Sequence, residues 1–264
     1  MSDASEDILA GYRNVRDQDH VRRGTFICEG ENVLRVLLGP RSRYRPSSVL
    51  LSESRAAALR PYLDALPWKP IVHVREQAVL DGIVGFPLHR GVLAEVPRPA
   101  DTSAPALLES LGEGPLRILV LSSIVNHDNV GLLFRSAAAF GIDAILLDEV
   151  TCDPLYRKAI RVSVGGALVL PFARAPMNDI LASLEARCVT AYGFSPAGER
   201  ALGDVAPQAR SAIILGTEGR GLDADVLERV ERVRIPIGDT MDSLNVGVAG
   251  SIACYAFSRR PSVT

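Results

Sequence analysis

The feature that most constrains the fold is an alternation of short apolar strands and helices in the C-terminal half of the chain. Strands are predicted at residues 117–122, 144–147, 189–193, 211–216 and 233–237, with helical segments between them. Strands that are apolar on both faces are typical of parallel sheets covered by helices. We therefore predict an α/β domain with a parallel sheet over residues 113–264.

A second, shorter alternation of strands and helices precedes this domain. Apolar strands are predicted near residues 24–28, 48–51, 70–74 and 91–96, which indicates a small α/β domain over residues 21–98. Residues 1–20 are expected to form a short helix or a flexible arm. The stretch 99–112 is rich in Pro, Ala and Ser, and we predict a linker without regular structure there.

Composition excludes several classes of protein. The formal net charge of −2 gives no global nucleic-acid signature, so a site for a polyanion has to be a local patch. Four scattered cysteines form no Cys/His cluster, and we therefore predict no metal site. Without a run of 18 apolar residues, no membrane partner is expected. The acidic N-terminus lacks a signal pattern, so a cytoplasmic location is expected.

A local basic patch lies in the N-terminal domain. Its arginines are interleaved with the aromatic residues Tyr12, Phe26 and Tyr44. Arginines and aromatic rings together suit RNA phosphates and stacked bases, whereas a solvated charged surface is the alternative interpretation. The predicted RNA-binding residues are Arg22, Arg23, Arg41, Arg43 and Arg45.

Three loop segments follow predicted strands, where open parallel sheets bind their ligands. In the first, Asn129 comes just before a predicted helix and could simply cap it. Arg135 lies in that helix among apolar and small residues. An arginine on such a face is expected to bind an anion, because an unpaired buried charge is costly.

The second segment is the glycine-rich stretch Leu215-Gly-Thr-Glu-Gly-Arg-Gly-Leu222, which lets a ligand approach the backbone. It lacks the Walker pattern.

The third segment, residues 235–245, ends in the polar residues Ser243 and Asn245 and leads into a helix of small residues over 246–257. Ser243 or a neighbour is expected to cap that helix. Tight packing of the helix and a ligand-binding loop before it are both compatible with this composition.

The three segments together resemble the motifs of the SpoU (TrmH) family. The similar stretches are Asn129-Val-Gly-Leu-Leu-Phe-Arg-Ser-Ala137, the glycine-rich stretch above, and Ile235-Pro-Ile followed by Ser243-Leu-Asn-Val246. Arg161-Val-Ser-Val-Gly-Gly-Ala-Leu168 is similar to a further family element. The resemblance covers about residues 115–257. Residues 20–96 resemble the L30e-like substrate-binding domain through Phe26-Ile-Cys-Glu-Gly30.

This resemblance implies an α/β fold whose C-terminal domain is a trefoil knot with a parallel sheet, preceded by the L30e-like domain. It implies an RNA 2′-O-ribose methyltransferase of the SPOUT class that acts on rRNA or tRNA as a homodimer. The implied cofactor is S-adenosyl-L-methionine. Its implied binding residues are Leu215, Gly216, Thr217, Gly219, Ile235, Pro236, Ile237 and Leu244.

The resemblance also implies the catalytic residues. Arg135 is the central one, and Asn129, Glu218, Ser243 and Asn245 shape the site. Because arginine stays protonated, we expect Arg135 to hold an RNA phosphate and lower the pKa of the ribose hydroxyl. The chain has Asn126-His-Asp128 where many members have Asp-Pro or Asn-Pro. His127 in this stretch is either a base or incidental.

Two other functions compete with this interpretation. A non-catalytic RNA-binding or ribosome-assembly protein on the same scaffold would be expected to lose the polar motif residues, and they are present. A nucleotide-dependent enzyme such as a dehydrogenase is disfavoured, because G-x-G-x-x-G is absent after the first apolar strand of the α/β domain.

Overall fold

The chain forms two compact units. The structure is a computed structural model and describes residues 9–13, 15–85, 88 and 91–258. The first unit comprises residues 1–100 with 155–169, and the second comprises 101–154 with 170–264. Residues 155–169 therefore belong with the N-terminal unit, although the sequence-based division assigns them to the C-terminal domain. The predicted arm lies in part outside the described residues.

The helices and strands follow the predicted alternation. The first unit contains a 3-10 turn at Ala10–Tyr12, then α1 (Asp17–Arg22), β1 (Thr25–Glu29), α2 (Glu31–Leu38), β2 (Ser48–Ser52), α3 (Glu53–Asp64), β3 (Ile71–Arg75), α4 (Gln77–Val84) and β4 (Val92–Pro97). The second unit begins with α5 (Ala104–Ser110), β5 (Leu116–Leu121), α6 (His127–Ala139) and β6 (Ala144–Leu147). The helices α7 (Arg157–Val162) and α8 (Gly166–Val169) return to the first unit.

The remaining elements complete the second unit. They are β7 (Phe172–Arg174), α9 (Met177–Ala186), β8 (Thr190–Phe194), β9 (Arg200–Ala201), a 3-10 turn at Leu202–Asp204, β10 (Arg210–Leu215), α10 (Ala224–Leu227), β11 (Glu231–Arg234) and α11 (Val246–Phe257). Within the described ranges, no helix has both the length and the apolar character needed to cross a bilayer.

The first unit is built on a four-stranded mixed sheet in the order β1-β4-β2-β3. Strand β4 runs antiparallel to β1 and β2, and the edge strand β3 runs parallel to β2. The helix α7 joins this unit through the buried carboxylate of Glu29, which lies 3.6 Å from Arg157 and 3.4 Å from Arg161. Asp17 adds a bond by accepting the backbone N–H of Arg157 at 2.9 Å. These contacts explain why residues 155–169 belong to the first unit.

The aromatic residues of the basic patch are part of the core of this unit. Tyr12 is fully buried and its hydroxyl lies 2.7 Å from that of Ser48. Phe26 and Tyr44 are also buried and meet edge to face, with ring centroids 5.2 Å apart. The prediction that these three rings stack on RNA bases is therefore wrong, because their faces are covered by protein.

The second unit has a seven-stranded sheet in the order β7-β6-β5-β10-β8-β11-β9, and every pairing in it is parallel. The central strands β5, β6 and β10 are almost wholly buried, as their apolar sequences predict. The predicted α/β fold with a parallel sheet is confirmed. The edge strands β7 and β9 were not predicted, because segments of three and two residues carry almost no pattern.

The predicted linker contains helix α5, so the expectation of irregular structure is wrong for residues 104–110. Ser103 caps this helix by accepting a hydrogen bond from the N–H of Ala106 at 3.4 Å. Pro105 lies in the first turn, where proline is tolerated because that N–H has no helical partner. Leu107 and Leu108 are buried in the core of the second unit and stabilise the helix there.

The last helix, α11, packs against α6 and β10. A β-carbon on Gly250 would lie 2.2 Å from Leu133 Cδ2 and 2.5 Å from Leu215 Cδ1, so any other residue there would force these two leucine side chains to shift. Further along the contact, the hydroxyls of Ser136 and Ser251 lie 2.7 Å apart. The predicted close packing of the small-residue helix is therefore confirmed.

Candidate functional site

A cavity of about 650 Å³ opens in the second unit where β8, β10 and β11 end. This is the edge at which parallel sheets bind ligands. Its lining includes most of the predicted cofactor-binding residues. The lining residues from the sequence prediction are Leu215, Gly216, Thr217, Glu218, Gly219, Ile235, Ile237, Ser243, Leu244 and Asn245. Pro236 is not among the lining residues, although both its neighbours are.

The glycine-rich loop folds back on itself beside this cavity. The N–H of Gly221 donates to the carbonyl of Thr217 at 3.0 Å. A β-carbon on Gly216 would lie 2.3 Å from the backbone carbon of Gly221, so no side chain fits there. Gly219 and Gly221 have φ values of 95° and 73°, which favour glycine. The sequence of this loop is thus fitted to present backbone to a ligand.

Three polar side chains from the three motifs meet in one cluster, which we call the Asn–Glu–Asn cluster: Asn129, Glu218 and Asn245. The amide of Asn129 donates to Glu218 Oε1. The amide of Asn245 donates to the same oxygen at 3.0 Å and to Asn129 Oδ1 at 3.1 Å. Asn129 is buried, whereas Glu218 and Asn245 remain exposed at the cavity. The predicted site residues Asn129, Glu218 and Asn245 are therefore brought together.

Asn245 also holds the cluster at the start of the last helix. Asn245 caps α11, because its Oδ1 accepts from the N–H groups of Gly247 at 2.9 Å and Val248 at 3.2 Å. The cap expected at Ser243 or a neighbour is thus Asn245.

The cap of α6 is Asn126, which accepts from the N–H of Asp128 at 2.8 Å. Asn129 lies inside α6, so the alternative interpretation of Asn129 as a helix cap is wrong.

Arg135 lies on the exposed face of α6. The helix buries Asn129, Leu133 and Ser136 on one side, and Arg135 faces solvent. Its neighbours one turn away are Gly131, Leu132, Ala138 and Ala139, so the arginine lies among apolar and small residues, as predicted, but on the exposed side of the helix. Among the described residues, none makes a hydrogen bond or ion pair with its guanidinium. The charge is thus available to an anion from solution, and Arg135 does not line the cavity.

One wall of the cavity was missed by the sequence prediction. Phe194, Ser195 and Pro196 follow β8 and form this wall. The parallel position of β8 beside β10 is the signal that could have found them, since both strands end at the same edge. The segment 235–245, for which a ligand-binding loop was predicted, adds the carboxylates of Asp239 and Asp242. Together with Glu218 they give the described lining three carboxylates and no Lys or Arg.

The predicted RNA-binding arginines lie in the first unit and differ in their surroundings. Arg41, Arg43 and Arg45 are exposed in the loop between α2 and β2. Arg22 is exposed and lies 3.8 Å from Asp19. Arg23 donates to the carbonyls of Asp19 and Ala10, both at 3.3 Å, and so supports the N-terminal segment.

The loop that leads into α6 is fixed by Asp148, which follows β6. Its carboxylate accepts from the N–H of Ser123 and the N–H of Thr151, both at 2.8 Å. Ser123 has φ 57°, an uncommon conformation that these bonds hold in place. Burial raises the pKa of Asp148, but the hydrogen bonds from Thr151 and Ser123 outweigh it and lower the pKa below its usual value.

Comparisons with known proteins identify the class of the chain. The model of the SpoU rRNA Methylase family matches residues 116–255. A relative from Mycobacterium tuberculosis, described as an uncharacterized tRNA/rRNA methyltransferase, is 34% identical over 98% of this chain and 91% of its own length. The 23S rRNA (guanosine(2553)-2′-O)-methyltransferase RlmP of Bacillus subtilis is 31% identical over 53% of this chain and 56% of its own length.

A solved structure shows the same fold. The SpoU methyltransferase AviRb of Streptomyces viridochromogenes, solved in complex with the cofactor AdoMet, superposes with a TM-score of 0.78. It is 20% identical and covers 96% of this chain and 97% of the AviRb chain. The family model and the Mycobacterium tuberculosis relative show that the chain belongs to the SpoU family of RNA methyltransferases. The resemblance predicted from the three motifs is confirmed.

We predict that Asp148→Asn lowers the free energy of unfolding by about 1–3 kcal/mol at neutral pH, because the buried N–H donors lose a charged acceptor. A lowered folded pKa contributes stability above the unfolded value of about 3.9, and this stability is lost as the pH falls through the folded value. The difference between wild type and variant should therefore shrink in acid. Denaturant unfolding between neutral and acidic pH measures it.

The control for this experiment is Asp204→Asn, at an exposed position of the same unit. It should leave the unfolding free energy unchanged. A deficit in Asp148→Asn that stays constant from neutral to acidic pH would contradict the assignment of a stabilising carboxylate.

Proposed function

We propose that this protein transfers a methyl group from S-adenosyl-L-methionine to a ribose 2′-hydroxyl of structured RNA, either rRNA or tRNA. The observation that carries the proposal is the Asn–Glu–Asn cluster, which joins all three motifs beside the cavity. The 2′-O activity named for the Bacillus subtilis relative supports the choice of the ribose hydroxyl. A non-catalytic scaffold would not need to keep this network.

The residues of the cavity fit the proposed cofactor. About 650 Å³ is within the usual range for small-molecule sites. Phe194, Leu215 and Val246 offer apolar contacts for an adenine ring, and the glycine-rich loop lets the ligand approach the backbone. The three carboxylates suit a ligand that carries a sulfonium and an ammonium group. AviRb, which has this fold, was solved with AdoMet.

Residues 215–219, 235–238 and Leu244 would hold the cofactor, largely through backbone groups. When bound, the cofactor supplies an electrophilic methyl group on its sulfonium. The protein's task is then to hold the ribose oxygen in line with that methyl group. Asn245 and Ser243 lie at the cavity and orient this side of the site.

Arg135 supplies the positive charge of the proposed mechanism. Because its guanidinium remains protonated, it acts by binding an RNA phosphate next to the reacting ribose. The nearby positive charge lowers the pKa of the 2′-hydroxyl and so favours loss of its proton to solvent, which makes the ribose oxygen a better nucleophile. Exposure and the lack of a partner among the described residues support this role.

We also propose a trefoil knot and an L30e-like first unit, as the resemblance implies. The return of α11 from the outer strand β11 to α6 and β10 in the middle of the sheet supports the knot. The mixed four-stranded sheet with helices, placed before the methyltransferase unit, supports the L30e-like assignment. The exposed Arg41, Arg43 and Arg45 support a role of the first unit in RNA binding.

We further propose that the protein is a homodimer through the second unit. One face of α11 exposes Val248, Ile252 and Tyr255, with 44%, 37% and 55% of their surfaces accessible. Their spacing puts these side chains on one stripe of the helix. An exposed apolar stripe of this kind is typical of a protein interface.

We expect Ile252→Asp to convert the dimer to monomers, because a charge would be buried in the apolar contact. Sedimentation of wild type and variant at equal concentration measures this. Val79→Ala, at an exposed position of the first unit, is the matched control and should remain dimeric. A wild-type protein that sediments as a monomer would refute the homodimer.

We expect Arg135→Ala to reduce methylation by about 100-fold or more while the fold stays intact, since a charge that stabilises the reacting oxyanion is lost. Mapping of 2′-O-methylation in total RNA, from cells without the gene and cells complemented with each variant, gives the measurement. Circular dichroism and thermal unfolding check the fold.

The control is Arg200→Ala, which removes an exposed ion pair with Glu231 and should complement fully. Complementation by Arg135→Ala at the wild-type level would remove the role assigned to Arg135. Identical methylation maps with and without the gene would contradict the proposed activity itself.

A further inference from the structure

We propose that Trp68 is a stacking platform for an unpaired nucleotide of the RNA substrate, beside a phosphate-binding track formed by Arg41, Arg43 and Arg45. This inference rests on the proposed function and deepens it. It assigns to the first unit a substrate that presents a single-stranded segment, such as a loop or bulge.

The track lies in the loop between α2 and β2, residues 40–47, which we call the arginine loop. Exposure alternates along it: Arg41, Arg43 and Arg45 are exposed, whereas Tyr44 and Pro46 are buried. The three arginines therefore present their side chains to solvent at alternate positions of one short loop, and the residues between them are buried or half-buried. Such a row of exposed cations suits the phosphates of a strand.

The arginine loop is fixed before RNA binds. The hydroxyl of Ser42 lies 3.0 Å from the carbonyl of Tyr44, and the ring of Tyr44 packs on Phe26. In the middle of the loop, the N–H of Arg43 donates to the carbonyl of Leu168 at 3.0 Å, and at its end the N–H of Ser47 donates to the carbonyl of Glu95 at 2.9 Å. A preorganised loop loses little conformational entropy on binding.

The charges of this row are not neutralised within the unit. By contrast, Arg35 and Arg55 both pair with Glu31, at 2.8 Å and 3.2 Å. For Arg41, Arg43 and Arg45, no carboxylate of the described residues lies within the 4.0 Å that defines an ion pair. The guanidinium groups of this row, unlike those of Arg35 and Arg55, can therefore bind RNA phosphates in place of water.

Trp68 stands at one end of the row. The guanidinium carbon of Arg45 lies 5.5 Å from the centroid of its indole ring, which is half-buried. No described residue accepts a hydrogen bond from the indole N–H. Guanidinium and aromatic planes are the groups on which unpaired bases stack, and the bases of a duplex are not accessible to them.

A second pair in the same unit serves as an internal comparison. Arg35 lies 5.5 Å from the ring centroid of Tyr62, but the hydroxyl of Tyr62 donates to the backbone carbonyl of Arg35 at 3.2 Å. Arg35 is itself held by Glu31. Tyr62 and Arg35 thus satisfy each other inside the protein, and we assign them a structural role.

The test uses the intrinsic fluorescence of Trp68, which is the single tryptophan of the chain. The full-length protein is titrated with a dye-labelled oligouridylate and with a dye-labelled blunt RNA duplex, and anisotropy reports binding independently. We expect oligouridylate to quench the tryptophan emission as it binds, and the duplex to leave it unchanged at equal occupancy. Unchanged emission with saturating oligouridylate, or equal quenching by the duplex, would overturn the proposal.

Variants test the platform by a second route. Trp68→Leu should weaken oligouridylate binding about tenfold, as expected for the loss of one stacked base. Trp68→Phe should retain most of the affinity, and the control Tyr62→Leu should bind as wild type. Equal losses in Trp68→Leu and Tyr62→Leu would overturn the inference. If Trp68→Leu does not fold, the fluorescence titration of the wild type still tests whether Trp68 stacks on an unpaired base.

Failure of this inference can be told apart from failure of the proposed function. A wild-type protein that methylates RNA in cells but shows no tryptophan response lacks the stacking platform alone. A protein that shows the tryptophan response without gene-dependent methylation binds unpaired RNA by this surface and lacks the proposed activity.

Discussion

The arrangement of the site depends on the hydrogen bonds of one side chain, Asn245. Its oxygen caps α11, and its amide group binds Glu218 in the glycine-rich loop and Asn129 in α6. One residue thus fixes the start of the last helix relative to the loops after β5 and β10. The segment 235–245 has no helix or strand of its own, and these bonds fix its last residue beside the cavity.

The packing of α11 and the loop that leads into α6 support these hydrogen bonds. Gly250 lets α11 lie close to Leu133 and Leu215, whose side chains would have to shift for a β-carbon at this position. Asp148 accepts hydrogen bonds from Ser123 and Thr151 and so fixes the loop that leads to Asn129. The polar network is therefore supported from both sides by elements whose positions are set by burial, and Glu218 and Asn245 stay exposed to a ligand.

The sequence predicts the parallel sheet and the edge that holds the cavity, because both follow from local apolar patterns. It does not predict features that depend on distant contacts. Glu29 draws Arg157 and its helix into the first unit, and no local pattern encodes that pair. Likewise Ser103 caps a helix in a stretch whose composition suggests a linker. The burial of Tyr44 is set by packing, so composition misplaces its ring.

The most direct test of the account is calorimetric titration of the purified protein with S-adenosyl-L-methionine and, separately, with NAD. The account predicts saturable binding of S-adenosyl-L-methionine, because the cavity is acidic and bounded by the backbone of a glycine-rich loop. It predicts no binding of NAD, for which the chain lacks the glycine fingerprint. Absence of S-adenosyl-L-methionine binding under native conditions, or preferential binding of NAD, would contradict the account.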